Sequence, residues 1–169
     1  MIDTVAGWLA QKENYQWLDF GDGNQQVTCP LLKVMVRRES NLYRVFTADE
    51  HDTPVGLVVF SNISPNFRTA MVWYVLGDKR VAGHGYTSRA VSEMLTWGFS
   101  ELGLRCINAW VVDQNIASIR VLQRNNFRLI GRLRQSHELD GRTVDRLLFD
   151  LLDSEHRRGY SASVSSQCR

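Results

Sequence analysis

The sequence predicts an α+β fold, with a mixed, mostly antiparallel sheet flanked by helices in a single domain. Three observations carry this. The N-terminal quarter shows helical periodicity only, and three strand-like segments joined by short turns follow it. A strand–helix–strand step then supplies one parallel crossover before a closing hairpin.

Taken in order, residues 2–12 place Ile2, Val5, Trp8 and Leu9 at helical spacing behind Asp3 as a cap. Gly21–Asn24 reads as a turn, and a second helix is expected from about Gln26 to Arg38, with Val27, Leu31, Val34 and Met35 on its apolar side. Leu42–Thr47, Val55–Ser61 and Thr69–Leu76 are rich in β-branched and aromatic residues, with turns at Asp49–Pro54 and Asn62–Asn66. The almost wholly apolar Val55–Phe60 suits a central strand. From Gly83 the period returns to that of a helix, with Val91, Met94, Leu95, Gly98, Phe99 and Leu102 on one stripe and Gly103 as the stop. Cys106–Val112 is expected as a strand, Asn115–Arg124 as a short helix and Phe127–Gln135 as a strand. Asp140-Gly141 turns the chain into Asp145–Leu152. Residues 1–153 thus form the domain, and 154–169, which lack a core pattern, are expected to be a disordered tail.

Length and composition fit one soluble globular domain: 169 residues, 44% hydrophobic and 22% charged. A net charge of +2 argues against a nucleic-acid partner. Arg120, Arg124, Arg128, Arg132, Arg134 and Arg142 gather basic charge that suits either a solvated face or a phosphorylated ligand. Cys29, Cys106 and Cys168 are distant and odd in number, which fits a reducing cytoplasm better than a disulfide framework or a zinc site. The N-terminus has no basic-then-apolar leader pattern. No apolar run approaches the ~18–20 residues of a membrane span, so a membrane partner is not expected.

The chemistry concentrates between the third strand and the long helix. In Arg80-Val81-Ala82-Gly83-His84-Gly85-Tyr86-Thr87, the two glycines free the backbone to aim consecutive N–H groups one way. The helix that follows adds its own unpaired N–H groups and positive dipole end, which makes a nest for a pyrophosphate. Arg80 adds fixed charge at the rim. A dinucleotide fingerprint would need glycine where Ser88 stands, and a P-loop would need Gly-Lys-Ser/Thr, which is absent. A plain glycine turn that starts a helix is the remaining alternative for this loop.

Arg80-x-x-Gly83-x-Gly85-Tyr86 after a strand resembles the acetyl-CoA motif of GNAT acetyltransferases. Asn115-Ile-Ala-Ser118 with Phe127 downstream is similar to a second segment of that family. Gly131-Arg132 and Asp140-Gly141 with Asp145 resemble its RimJ/RimL-like branch. The resemblance covers roughly residues 42–152. It implies a GNAT-type sheet and acetyl-CoA as acetyl donor, with CoA as product. The donor would be held by Val75, Leu76, Arg80, Val81, Ala82, Gly83, His84, Gly85, Tyr86, Thr87, Asn115 and Ser118. Backbone N–H groups near Val75 and Leu76 would bind the thioester carbonyl, where a preorganised donor is worth about 3 kcal/mol of barrier. The first strand usual in the family is not evident, so the N-terminal helices are expected on the acceptor side.

Ser118 is the catalytic candidate, associated in the RimJ/RimL-like branch with the departing sulfur. The alternative is a helix-start hydroxyl bonded to its own backbone. Other GNATs place a tyrosine four residues later, where this chain has Leu122. Asn115 reads as a helix cap, and the resemblance adds a cofactor contact. No general base stands out: Ala70–Tyr74 contains no carboxylate, and His84, His137 and Glu138 are each as readily surface residues. Trp73, Tyr74, Trp97 and Trp110 read mainly as core. Met71, Trp73 and Val75 share one strand face and Val72, Tyr74 and Leu76 the other, either of which could floor an acceptor pocket. The acceptor is expected to be a small-molecule amine (an amino sugar, amino acid or antibiotic intermediate). A protein N-terminus is the second reading and a non-catalytic acyl-CoA-binding module the third. A homodimer would follow if Val- and Trp-rich strand edges pair between subunits.

Overall fold

The structure is a computed structural model that describes residues 1–20, 27–48 and 51–156. The turn expected at Gly21–Asn24, the helix start at Gln26, Asp49 and Glu50 of the next turn, and the tail from 157 onward lie outside the described residues.

Helix α1 (Ile2–Leu9) stops short of the predicted end, and a separate turn of helix, α2 (Lys12–Tyr15), starts after an extended Gln11. Met1, not Asp3, occupies the capping position, without a side-chain bond. Asp3 instead lies in the first helical turn, where a carboxylate suits the positive dipole end, and accepts a hydrogen bond from Cys29 Sγ at 3.2 Å. Helix α3 (Cys29–Met35) begins later than the pattern indicated, because Thr28 caps it through Leu31 N–H and Pro30 stands in its first turn. Its buried residue is Leu32, while Val34 is 56% exposed, so the apolar face is rotated from the predicted one.

The sheet runs β1 (Leu42–Ala48), β2 (His51–Ser64), β3 (Thr69–Leu76), β4 (Cys106–Val112), β5 (Arg128–Leu139) and β6 (Arg142–Leu152), in spatial order β1-β2-β3-β4-β6-β5. Only the β3–β4 pairing is parallel. Strand β2 passes through the positions expected to turn at Thr53–Pro54 and Asn62, aided by irregular pairing at both ends. The last hairpin is longer than predicted, with Asp140 (φ 50) and Gly141 (φ 73) at its tip. Edge strand β5 is largely exposed, so its residues lack the alternation that betrays a half-buried strand.

Helix α4 (Tyr86–Ser100) connects β3 to β4, and α5 (Ile116–Arg124) connects β4 to β5. Each face of the sheet carries its own core. Val58, Phe60, Val72, Ile107 and Phe149 meet Val91, Leu95 and Phe99 of α4 and Leu122 of α5. On the other face Leu57, Val59 and Val75 meet Val5, Trp8 and Leu9 of α1 and Leu32 of α3. Leu102, expected on the α4 stripe, lies beyond the helix and is 38% exposed.

Gly77, just past β3, is where α1 meets the strand end: a Cβ there would fall inside the Trp8 ring. Its N–H donates to Val55 O at 2.8 Å, closing the β2–β3 ladder. Residues 153–156 add one helical turn, with His156 against Phe99 of α4. No helix among the described residues is long and apolar enough to cross a membrane.

Candidate active site

Strands β3 and β4 pair at only three positions, Thr69–Cys106, Ala70–Ile107 and Met71–Asn108. Beyond Met71 they splay, although each remains fully paired on its other side. The antiparallel alternation fixes which backbone groups face the gap. Because Gly77 N–H bonds Val55 O, the polar groups of Val75 and Trp73 point into the β2 ladder. Those of Tyr74 and Leu76 face the opening. The same counting from Asp113 N–H on Asp145 O turns the Trp110 backbone toward the gap from the other side. Two inward strand edges therefore border a cleft in the middle of the sheet.

Two cavities meet there. A cleft of about 390 Å³ opens on the α4–α5 end and is lined by Val75, Leu76, Val81, Ala82, Gly83, Gly85, Tyr86, Thr87, Asn115 and Ser118. These are the residues expected there from the sequence, apart from Arg80 and His84. Gly83 (φ 85) and Gly85 (φ 82) hold left-handed conformations with open space where a Cβ would stand, and Gly85 is the N-cap of α4. The two glycines and the first turn of α4 thus line the same cleft.

Arg80 lies elsewhere. Its guanidinium pairs with Asp78 at 2.7 Å, is 89% exposed, and borders a separate groove with Trp8 and Gln11. That ion pair holds the Asp78 carboxyl below its ordinary range. His84 folds back, with Nδ1 at 3.2 Å from both Val81 O and Ala82 O and its ring stacked on Tyr86, and does not line the cleft. The cationic lining comes instead from Lys79, Arg120 and Arg124, and Glu13 is the carboxylate that lines the cleft with them. Lys79 Nζ donates to Asn14 Oδ1 and to Leu76 O, which ties the N-terminal helices to the end of β3. Partial burial lowers the Lys79 pKa, against the attraction of Glu13. Residue spacing along the chain carries no signal for Lys79, while Arg120 and Arg124 belong to the basic cluster visible in the sequence.

The second cavity, about 340 Å³, lies on the face carrying the N-terminal helices. Met71 and Trp73 of β3 and Trp110 of β4 line it, and Val72 and Tyr74 from the other β3 face reach it through the splayed sheet. Trp17, Phe20, Met35 and Arg38 close it from above. Trp17, Leu18, Tyr74, Asn115 and Ser118 border both cavities and mark their junction.

At the junction Ser118 Oγ donates to Tyr74 Oη at 3.0 Å, and Tyr74 Oη donates to Ser118 O at 2.9 Å. Asn115 Oδ1 accepts from Ser118 N–H at 3.1 Å, so Asn115 caps α5 and fixes the first turn that carries the serine. Burial of the Tyr74 hydroxyl pushes its pKa well above the usual phenol range, which keeps it protonated. Sequence alone indicates core packing for Tyr74, because its partner lies 44 positions away.

Neither cavity is lined by His84, His137 or Glu138. His137 is buried, with Nε2 at 2.8 Å from Gln16 O and Nδ1 at 3.2 Å from an Arg146 nitrogen. Arg146 can only donate, so Nδ1 accepts and Nε2–H donates to Gln16 O. Both ring nitrogens are committed, Nε2 to the α2 segment and Nδ1 to Arg146 of β6.

A profile of the acetyltransferase (GNAT) domain matches residues 2–128. The chain is 34% identical over 107 residues to the uncharacterized N-acetyltransferase p20 of Bacillus licheniformis, covering 63% of this chain and 60% of that protein. It is 32% identical over 114 residues to the probable N-acetyltransferase YjcK of Bacillus subtilis (strain 168), covering 67% and 62%. The matched stretch therefore spans less than two thirds of these curated relatives. Among solved structures, the spermidine N-acetyltransferase from Vibrio cholerae in complex with CoA and spermine superposes with a TM-score of 0.81 over 92% of each chain. At 16% identity that is a likeness of fold.

Proposed function

The chain belongs to the GNAT acetyltransferase family, and on that premise we propose that it transfers an acetyl group from acetyl-CoA to a primary amine of a small molecule. The observation that carries this reading is the junction: a cationic, glycine-lipped cleft and an aromatic pocket meet through the split sheet at Tyr74 and Ser118. The cleft's chemistry fits the donor. Gly83, Gly85 and the α4 N-terminus suit a pyrophosphate, Lys79, Arg120 and Arg124 match its charge, and the exposed β3 edge suits a peptide-like pantetheine arm. Bound there, acetyl-CoA supplies the activated thioester.

This chain's own groups then have distinct tasks. Leu76 N–H faces the gap and is the donor to the thioester oxygen; Val75 N–H, aimed into the β2 ladder, contributes only the wall. Ser118 Oγ gives its proton to the departing sulfur and takes one from the amine nitrogen that has attacked, while Tyr74 Oη, kept protonated by burial, holds the serine in place. His137 is committed elsewhere, so the amine reaches the site neutral or loses its proton to water. Ser118 in place of the helix tyrosine, with Gly131-Arg132 and the Asp140-Gly141 hairpin, supports the RimJ/RimL-like branch. Free Cys29 and Cys106 suit a reducing cytoplasm.

A pocket of this volume matches a small molecule rather than a protein tail, although the neighbour of similar fold is named for a polyamine. The direct test is a thermal shift with acetyl-CoA, followed by release of free thiol against a panel of amines. Stabilisation with thiol release for one amine class is the expected result. Stabilisation without thiol from any amine moves the protein to the non-catalytic acyl-CoA-binding reading, and no stabilisation removes both.

Lys79 provides a pH signature. Its lowered pKa means that the ammonium loses its proton at less alkaline pH than an exposed lysine. Acetyl-CoA affinity is expected to be full near neutrality and to fall as pH rises through that lowered value. Lys79→Met is expected to weaken binding about tenfold at neutral pH and to abolish the alkaline fall. Titration calorimetry across pH reads both effects; an unchanged profile in the variant would remove Lys79 from the site.

A further inference from the structure

We infer that the acceptor is an aromatic amine with a single ammonium, either an arylalkyl amine or an aromatic amino acid, and that polycations are rejected; this rests on the acetyl-transfer reading above. Six of the residues lining the pocket are aromatic, beside a polar rim that includes Asn41, Ser61 and Asn62. Trp73 sits at the centre, with Phe20 edge-on at 5.5 Å and Tyr43 edge-on at 6.0 Å, while Trp17 and Trp110 close the sides. Such walls accept a flat ring in edge-to-face or offset contact.

Aromatic walls also attract cations, so charge must decide between a ring and a second ammonium. Among the described residues that line the pocket, Asp19 is the only carboxylate and Arg38 the only cation. Asp19 is already paired with Arg146 at 3.3 Å. The Arg146 guanidinium lies 4.1 Å from the Trp110 ring centroid, which occupies one π face of that indole. Burial keeps the Tyr43 phenol neutral against the pull of the nearby Arg38 charge toward ionisation, so Tyr43 supplies no anion to offset Arg38. With Asp19 paired to Arg146, which does not itself line the pocket, Arg38 is the lining charge left without an ion-pair partner among the described residues. The amine is held at the Tyr74–Ser118 end in its neutral form, so its own proton adds nothing there. A second ammonium deeper in the pocket meets the Arg38 charge and a carboxylate already paired with Arg146, whereas a carboxylate there gains Arg38 as a partner.

The same charge count identifies a variant that separates this inference from the transfer reading. Arg38 is exposed at the end of the α3 segment, so Arg38→Glu leaves the core untouched and reverses the sign of that lining charge. The experiment follows thiol release from acetyl-CoA with phenethylamine, tryptophan, spermidine and kanamycin, for the wild type and Arg38→Glu. The expected result is a kcat/KM for phenethylamine or tryptophan about a hundredfold above that for spermidine or kanamycin, with this ratio falling about tenfold or more in Arg38→Glu. Spermidine or kanamycin turned over as well as the aromatic amines overturns the inference and leaves acetyl transfer standing. So does a selectivity that Arg38→Glu does not change, because the charge argument then fails. Acetyl-CoA binding with no thiol from any of the amines overturns the transfer reading and the inference together.

Discussion

Gly83→Glu is expected to lose at least about a hundredfold in acetyl-CoA affinity, a change of about 2.7 kcal/mol. Two effects act at this position. Gly83 holds a φ of 85, where a side chain is disfavoured by roughly 1–2 kcal/mol. The new carboxylate also competes for the N–H groups directed at the pyrophosphate and repels it. No heavy atom stands within 4 Å of where a Cβ on Gly83 would lie, so the fold itself should lose only the backbone strain. Gly83→Ala isolates that strain and is expected to weaken binding about tenfold or less. Calorimetry with acetyl-CoA, alongside thermal melts of the free proteins, measures both. Wild-type affinity in Gly83→Glu would show that the loop is an ordinary turn before α4.

Ser118→Ala and Tyr74→Phe are each expected to lower kcat about a hundredfold while leaving the KM for acetyl-CoA nearly unchanged. The two hydroxyls form one unit, because each is hydrogen-bonded to the other residue. The double variant should therefore be little slower than either single one. Burial of the Tyr74 hydroxyl prevents it from ionising in the working range, so neither variant should remove an alkaline limb from the pH profile. The rate in the wild type should rise with pH only as the acceptor amine loses its proton. Steady-state kinetics with a saturating amine read these effects. An unchanged kcat in Ser118→Ala would reduce the serine to a helix-start residue, and additive losses would dissolve the unit.

Residues whose role depends on local chain geometry are legible in the sequence. Gly83 and Gly85 need only backbone freedom next to a helix start, and Asn115 needs only its place before α5. The order of strands and the α4 crossover follow from periodicity. Residues whose role depends on distant partners are not legible. Tyr74 becomes a site residue because α5 brings Ser118 to it, and Lys79 enters the cleft because Asn14 and Leu76 O draw its ammonium inward. Arg80, the more obvious cation beside it, is diverted by Asp78 two positions away. The apolar period misplaces the α3 face because Thr28 and Pro30 set the helix start. The last hairpin exceeds its predicted length because an exposed edge strand needs no apolar alternation.

The short β3–β4 pairing has a mechanical consequence. Three residue pairs join β1–β2–β3 to β4–β6–β5, so the sheet behaves as two plates on a narrow seam. Helix α4 is the strap across them, since it leaves the end of β3 and returns the chain to the start of β4, with Val91, Leu95 and Phe99 clamped onto both plates. Closing or spreading the plates changes the width at Tyr74 and Leu76 far more than at the seam itself. Residues there, such as the fully buried Ile107 and the almost fully buried Ala70, act as a pivot for an aperture that they do not touch. On the acetyl-transfer reading, the room for the acyl group is expected to depend on the stiffness of this seam and strap as well as on the walls of the cleft.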